Sequence, residues 1–217
     1  MTDSIVSDMS TVAAFVIFRA NAYRMAPALQ LSLPVTHRSS DLKLPGGTME
    51  LETLKDLYVE GLKDLYSAEK QILKALPKMM KAATDPELKR GFMMHERQTK
   101  QHVQRLERIC KELGKSPTGK KCIGMEGLIE EAAELIKEKP DKDVLDAGLI
   151  AAAQHVEHYE MAGYGCVRTY ARLLGYSSQA DLLQQTLNEE GETDKLLTML
   201  AETAINIDAV SQDEDDE

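Results

Sequence analysis

The chain contains no tryptophan, and aromatic residues make up only 5% of its 217 positions. Leu, Ala, Met, Glu and Lys dominate from residue 50 onward instead, a usage that favours helix. Basic residues are outnumbered by acidic ones, 26 to 36. The formal net charge is -10, which argues against a general nucleic-acid surface or an anionic-membrane surface, because both need a basic face. No run reaches the roughly 18 apolar residues expected of a membrane span. The apolar stretch from Val12 to Phe18 is too brief, and Asp3 and Asp8 stand before it where a secretory signal carries positive charge. Cysteines are few and unpatterned: Cys110, Cys122 and Cys166 form no C-x-x-C pair, which excludes a thiolate metal site or a disulfide framework and fits a reducing compartment. Cys110 and Cys166 fall within expected helices as small, partly buried residues, whereas Cys122 follows Lys120 and Lys121 in a loop and is the more reactive candidate. There is no nucleotide-binding loop and no nucleophile elbow.

What the chain does have is four long apolar stripes at helical spacing. The first reads Leu51, Leu54, Tyr58, Leu62, Leu65, Glu69, Ile72, Leu76, and its steps of three and four place every member on one face. The second reads Leu88, Phe92, His95, Thr99, His102, Leu106, Ile109, Leu113. The third runs through Leu149, Ala153, Val156, Glu160, Gly163, Val167, Tyr170 and Leu174, and the fourth through Leu183, Leu187, Glu190, Asp194, Leu197, Ala201 and Ala204. Each stripe is interrupted near mid-length by ionisable groups. Burying such groups without partners costs several kcal/mol each, so four coincident interruptions imply a shared polar centre.

Punctuation between the stripes sets the topology. Asp85-Pro86 reads as a cap followed by proline at the first helical position, and Pro77 should kink the first helix without ending it. Gly114 ends the second helix, Gly175 follows the third, and Ser178 is placed to cap the fourth. Between the second and third lies a shorter amphipathic stretch, Met125, Leu128, Ile129, Ala132, Leu135, Ile136, closed by Lys139-Pro140. Two helical hairpins joined by a long crossover define an all-α, ferritin-like four-helix bundle with an extra short helix in the crossover. The expected domain covers residues 49–208. Residues 1–48 lack this periodicity, and Gly46-Gly47-Thr48 before Met49 suggests that Met49 is the principal start and the preceding segment a disordered or non-native extension. Residues 209–217 read as an acidic, solvated tail.

In an antiparallel hairpin, residues equally far from the turn share a level. A turn near residue 84 sets Glu69 level with Thr99, between His95 and His102, and a turn near 176–177 sets Glu160 opposite Thr193, between Glu190 and Asp194. Glu157, three residues before Glu160, points toward the same centre from a slightly rotated position. The expected metal ligands are therefore Glu69, His95, His102, Glu157, Glu160, Glu190 and Asp194. A carboxylate from each of two helices opposed by paired ligands on the other two is the arrangement of dinuclear iron or manganese sites, and oxygen-rich donors with one or two imidazoles favour those metals over zinc. The alternative is a buried network in which the same acids share protons with the histidines and set register without catalysis. Tyr66 and Tyr159, near the carboxylates, read mainly as core, His155 and His158 as off the stripe, and Arg105, Arg108, Lys111 and Lys115 as a solvated face.

Longer matches add to this. Asp64-Leu-Tyr-Ser-Ala-Glu-Lys-Gln71, Ala75-Leu-Pro-Lys-Met79, Gln98 to Glu107, Gly127-Leu-Ile-Glu-Glu131, Ala147 to Glu160, and Glu189-Glu190 with Thr193-Asp194 resemble the YciE/YciF-like stress-response ferritin-like family, to which ferroxidase activity is often ascribed. The resemblance spans about residue 50 to 208. It implies a helical homodimer with a ferritin-like bundle, a bacterial cytoplasmic location, a role in stress, and Met49 as the usual start. One departure from the broader superfamily stands out: the E-x-x-H ligand pair is missing, because Phe92 and Thr99 precede His95 and His102 by three, and Glu96 lies only at the stripe's edge. The resulting expectation is a metal-binding protein oxidising Fe(II) or consuming peroxide. The alternatives are a non-catalytic dimer acting through a partner surface or, less directly, a metal store.

Overall fold

A computed structural model describes residues 51–211. The extension expected at 1–48 lies outside these residues, as does the tail from 212 onward. Thr53 begins the first helix, α1 (Leu54–Ala82): its hydroxyl accepts the Asp56 N–H at 3.1 Å, and the Asp56 carboxylate accepts the Thr53 N–H at 3.0 Å. This reciprocal cap sets the start inside the stripe read from the sequence, so Leu51 and Leu54 are exposed. Pro77 sits on the exposed side of α1, and the helix runs on past it.

Asp85 caps α2 (Pro86–Glu112) by accepting the Leu88 N–H at 2.8 Å, with Pro86 at the first position. Gly114, at φ 65°, turns the chain away. The crossover helix α3 (Ile123–Glu138) is followed by α4 (Lys142–Leu173), capped by Asp141. Gly175, at φ 81°, leads into α5 (Ser177–Leu200). The cap position there belongs to Tyr176, without a side-chain cap bond, and Ser178 lies inside the helix. A π-helical turn (Ala201–Ile205) and a short α6 (Asn206–Ser211) complete the described chain, so residues 209–211 continue as helix. No strand occurs among the described residues, and none of their helices is long and apolar enough to cross a membrane.

The hairpins α1–α2 and α4–α5 pack together with α1 against α4 and α2 against α5, while α3 lies across α1 and α4. Both inter-hairpin pairs are antiparallel. Gly61 approaches Val167 while Thr84 bonds Asp146, and His95 meets Thr193 while Glu112 bonds Gln179. This is the ferritin-like arrangement, with the expected helix in the crossover. Buried Asp146 fastens the first hairpin's turn to α4 by accepting the Thr84 N–H at 2.8 Å and the Asp85 N–H at 2.7 Å. Two apolar clusters fill the interior. One centres on Tyr58, Leu62, Leu65, Leu106, Ile109 and Leu183, and the other on Ile72, Leu76, Leu88, Phe92, Leu149 and Leu197. A layer of polar side chains separates them.

Candidate metal centre

Four helices supply that layer: Glu69 from α1, His95 and His102 from α2, Glu157 and Glu160 from α4, and Glu190 from α5. His95 is 3% exposed and the other five residues no more than 1%. The ligating atoms of His95, Glu157, Glu160 and Glu190 lie within 4.8 Å of one another, as do those of Glu69, His102 and Glu190. Glu190 belongs to both groups and joins them.

His102 is held from both sides. Its Nδ1 stands 2.9 Å from Glu190 Oε1 and 3.4 Å from Glu69 Oε1. Its Nε2 stands 2.8 Å from Glu189 Oε2. Arg105 grips Glu189 in turn, donating to its two oxygens at 2.6 and 2.9 Å. Such an outer carboxylate fixes an imidazole's tautomer and ring angle. His95 Nε2 lies 3.2 Å from Glu157 Oε1, and its Nδ1 lies 3.9 Å from Glu190 Oε2. The Tyr164 hydroxyl donates a short hydrogen bond to Glu69 Oε1. Thr99 donates to the His95 carbonyl at 2.8 Å, which occupies its hydroxyl within α2.

Proximity here does not amount to hydrogen bonding. Glu69 Oε2, His95 Nε2, His102 Nδ1, Glu157 Oε2 and both carboxylate oxygens of Glu160 and Glu190 have no partner of proper geometry. Orphaned buried polar atoms are rare in folded proteins, and these all belong to one layer.

Electrostatics divides the acids. Burial, reinforced by Glu190, pushes the Glu157 carboxyl well above the usual range, and burial reinforced by Glu69 and Glu190 does the same to Glu160. Burial also raises Glu69, although His102 opposes it. Glu190 goes the other way: burial acts to raise it, but the close approach and charge of His102 outweigh that and hold it low. For His102 itself, burial disfavours the charge, yet Glu190 and Glu69 bring the imidazole up to about 11. Burial lowers His95 despite the attraction of Glu190. Without metal, the surroundings therefore favour the charged forms of His102 and Glu190 and the neutral forms of Glu157 and Glu160. Several like charges at this depth cannot all ionise without a cation among them.

Of the seven residues expected as ligands, the structure gathers six and leaves Asp194 outside. Asp194 lies at the bundle's edge, 3.1 Å from exposed His158 and 3.1 Å from Gln154. The cause lies in α5, where spacing admits two stripes. Leu183, Leu187, Glu190, Asp194, Leu197 and Leu183, Thr186, Glu190, Thr193, Leu197 both step by three and four, and the second is the buried one. Arg105 also departs from its expected place: its side chain is 11% exposed and clamps Glu189, lying three residues beyond His102 on the same face. Tyr159 joins Cys122 and Asp64 away from the acid layer, and Tyr66 bonds Glu107. Cys122 is buried, with burial raising its thiol, whereas Cys166 is exposed. Tyr164 is the main omission. Its position four residues after Glu160 on an apolar face was the available signal.

Fold and site together define a class: an all-helical, ferritin-like bundle with a buried carboxylate–histidine layer. A family model described as "Domain of unknown function (DUF892)" matches residues 53–210, and the chain belongs to that family. Protein YciF of Escherichia coli strain K12 is 43% identical over 159 residues, covering 73% of this chain and 96% of that protein. The crystal structure of the E. coli stress protein YciF matches with a TM-score of 0.69 and 43% identity, covering 72% of this chain and 99% of that one. YcfI of Rhodopseudomonas palustris matches with a TM-score of 0.68 and 42% identity, covering 70% of this chain and 98% of that one. A Xanthomonas campestris protein, 23% identical at a TM-score of 0.62 over 75% of this chain and 99% of that one, shares the fold. The relationship read from the motifs is the one these matches establish.

Proposed function

We propose that the buried layer binds one or two iron or manganese ions and that the protein oxidises Fe(II) or consumes peroxide in a bacterial stress response. The orphaned carboxylate and imidazole atoms carry this reading. They come from four helices, lie at one level, and form an oxygen-rich donor set with two imidazoles, which suits Fe or Mn. His95, Glu157 and Glu160 would hold one ion, Glu69 and His102 the other, with Glu190 between them. A bound pair would supply redox capacity and the further positive charge that several ionised carboxylates need.

The chain's own residues do the rest. Glu189 and Arg105 hold the His102 ring, and Tyr164 holds Glu69. The apolar clusters on either side keep bulk water away. Protons on Glu157 and Glu160 must leave as metal enters, because ligands bind deprotonated. Kinship with a stress protein of E. coli supports the stress role, and a bacterial cytoplasmic homodimer is the setting that the family resemblance implies.

Metal analysis of protein purified without oxygen, followed by anaerobic Fe(II) titration and oxygen addition watched by absorbance, tests this reading. Saturable uptake that is lost when Glu160 and Glu190 are both changed to Gln is expected. Clean folding with no uptake of Fe or Mn overturns it. The close approach of His102 Nδ1 to Glu190 at 2.9 Å favours a second reading, a non-catalytic dimeric stress protein with this pair as a register lock. Under that reading Glu160→Gln alone, which spares the His102–Glu190 pair, leaves cellular function intact, and disrupting the dimer abolishes it.

A further inference from the structure

An apolar cavity with an open mouth lies beside the polar layer and is walled by all five long helices. Its lining is apolar, with Phe92 among aliphatic side chains, apart from Lys78, Thr193, His95 and Glu157. Small residues from different helices, among them Ala75, Gly91, Ala132, Ala152 and Ala153, create the room. Gly91 shows how much is left: a Cβ there would meet only Leu196 Cδ2, at 3.7 Å. Protein interiors are close-packed, and apolar walls without a filling lose dispersion contacts, so such a space beside a core is not the default outcome of folding.

His95 and Glu157 belong to this lining and to the polar layer alike. Both are nine-tenths buried or more, and His95 Nε2 and Glu157 Oε2 have no hydrogen-bond partners. Fe(II) and peroxide, both strongly solvated, gain nothing from aliphatic walls. A molecule with an apolar body does, because seating it against these walls removes apolar surface from water. From these observations we infer that the cavity binds a small organic molecule with an aliphatic body and at most one polar end, and that it delivers this molecule to His95 and Glu157. The inference deepens the proposed metal chemistry by naming a substrate class, and it rests on that reading only where the two residues are shared.

The test uses the full chain labelled with ¹³C at its methionine methyls, titrated with n-octanol in metal-free form and again after Mn(II) loading. Met79 lines the cavity, whereas Met93 and Met94 are exposed elsewhere on α2. The expected result is a saturable shift of the Met79 methyl in both forms, with Met93 and Met94 unmoved and no shift with triethylene glycol, a polar molecule of similar length. Gly91→Leu fills the space and should weaken octanol binding at least tenfold. Should that variant fail to fold, Ala133→Trp at the exposed mouth gives the same readout. No saturable Met79 shift in either form overturns the inference, as does undiminished binding in a folded Gly91→Leu. Octanol binding by a protein that takes up no Mn(II) upholds the cavity's role and removes the metal reading. Mn(II) uptake without octanol binding does the reverse.

Discussion

On one side of the polar layer the helices touch backbone to side chain: a Cβ on Gly61 would stand 2.7 Å from Val167 Cγ1, and one on Gly163 would stand 2.8 Å from Leu65 Cδ2. On the other side a Cβ on Gly91 would make one ordinary contact, with Leu196 Cδ2 at 3.7 Å. The same residue type therefore serves opposite ends. In the closed region glycine lets α1 and α4 approach, which fixes the distance across the acid layer. In the open region it leaves a cavity against which α3 forms one wall. The comparison suggests a division of labour, with one apolar cluster setting the ligands' positions and the other giving access to them.

The strongest way to break this arrangement is at the layer between the two regions. Changing His102→Ala leaves Glu190 buried without its charge partner, and the metal-free protein should lose about 3–5 kcal/mol in urea unfolding. A loss under 1 kcal/mol would mean that the pair contributes little. Next, the two apolar regions should answer differently to truncation. Leu106→Ala in the closed cluster is expected to cost about 3–5 kcal/mol, whereas Leu197→Ala, beside an existing space, should cost nearer 2–3 kcal/mol, measured the same way. Equal losses would erase the distinction.

The third test uses pH. Burial pushes the Glu157 and Glu160 carboxyls up, so each favours the folded state at low pH and loses that contribution as pH rises through its folded value. The folded state also keeps the His102 proton up to about 11, which the unfolded chain loses near 6.5. Both raised shifts mean that stability declines as pH rises, and the His102 proton alone should weaken metal-free protein between about pH 7 and 10 by up to about 1.4 kcal/mol per pH unit. Loading with Mn(II) should flatten that slope, because the ligands are then deprotonated in both states. A rising slope without metal would contradict the assignment. The smallest effect returns to the glycines. Gly163→Ala should destabilise by about 1–3 kcal/mol through overpacking, and Gly91→Ala should stabilise by about 0.5–1 kcal/mol through helix propensity, a reversal of sign readable by thermal unfolding.

Much of the fold was legible because a helical face repeats in sequence. The second stripe, from Leu88 through Ile109, is buried as read, with both histidines and Thr99 in place. Asp85-Pro86, Gly114 and Gly175 marked the turns for steric reasons that hold in any context. The fourth stripe failed at Asp194 because two alternating paths share Leu183, Glu190 and Leu197. Only the packing of α2 against α5 selects the path through Thr193. Arg105 and Glu189 were not readable as a pair for a related reason, since they meet across two helices 84 positions apart.

The sequence alone determined four amphipathic helices, their pairing into hairpins, and the level at which ionisable groups interrupt them, because each follows from spacing and local sterics. Tertiary structure decided which acids share a centre, which carboxylate holds each histidine, and where a cavity remains. Those outcomes depend on the rotation of each helix about its axis and on how closely neighbours approach, quantities that no single stripe encodes.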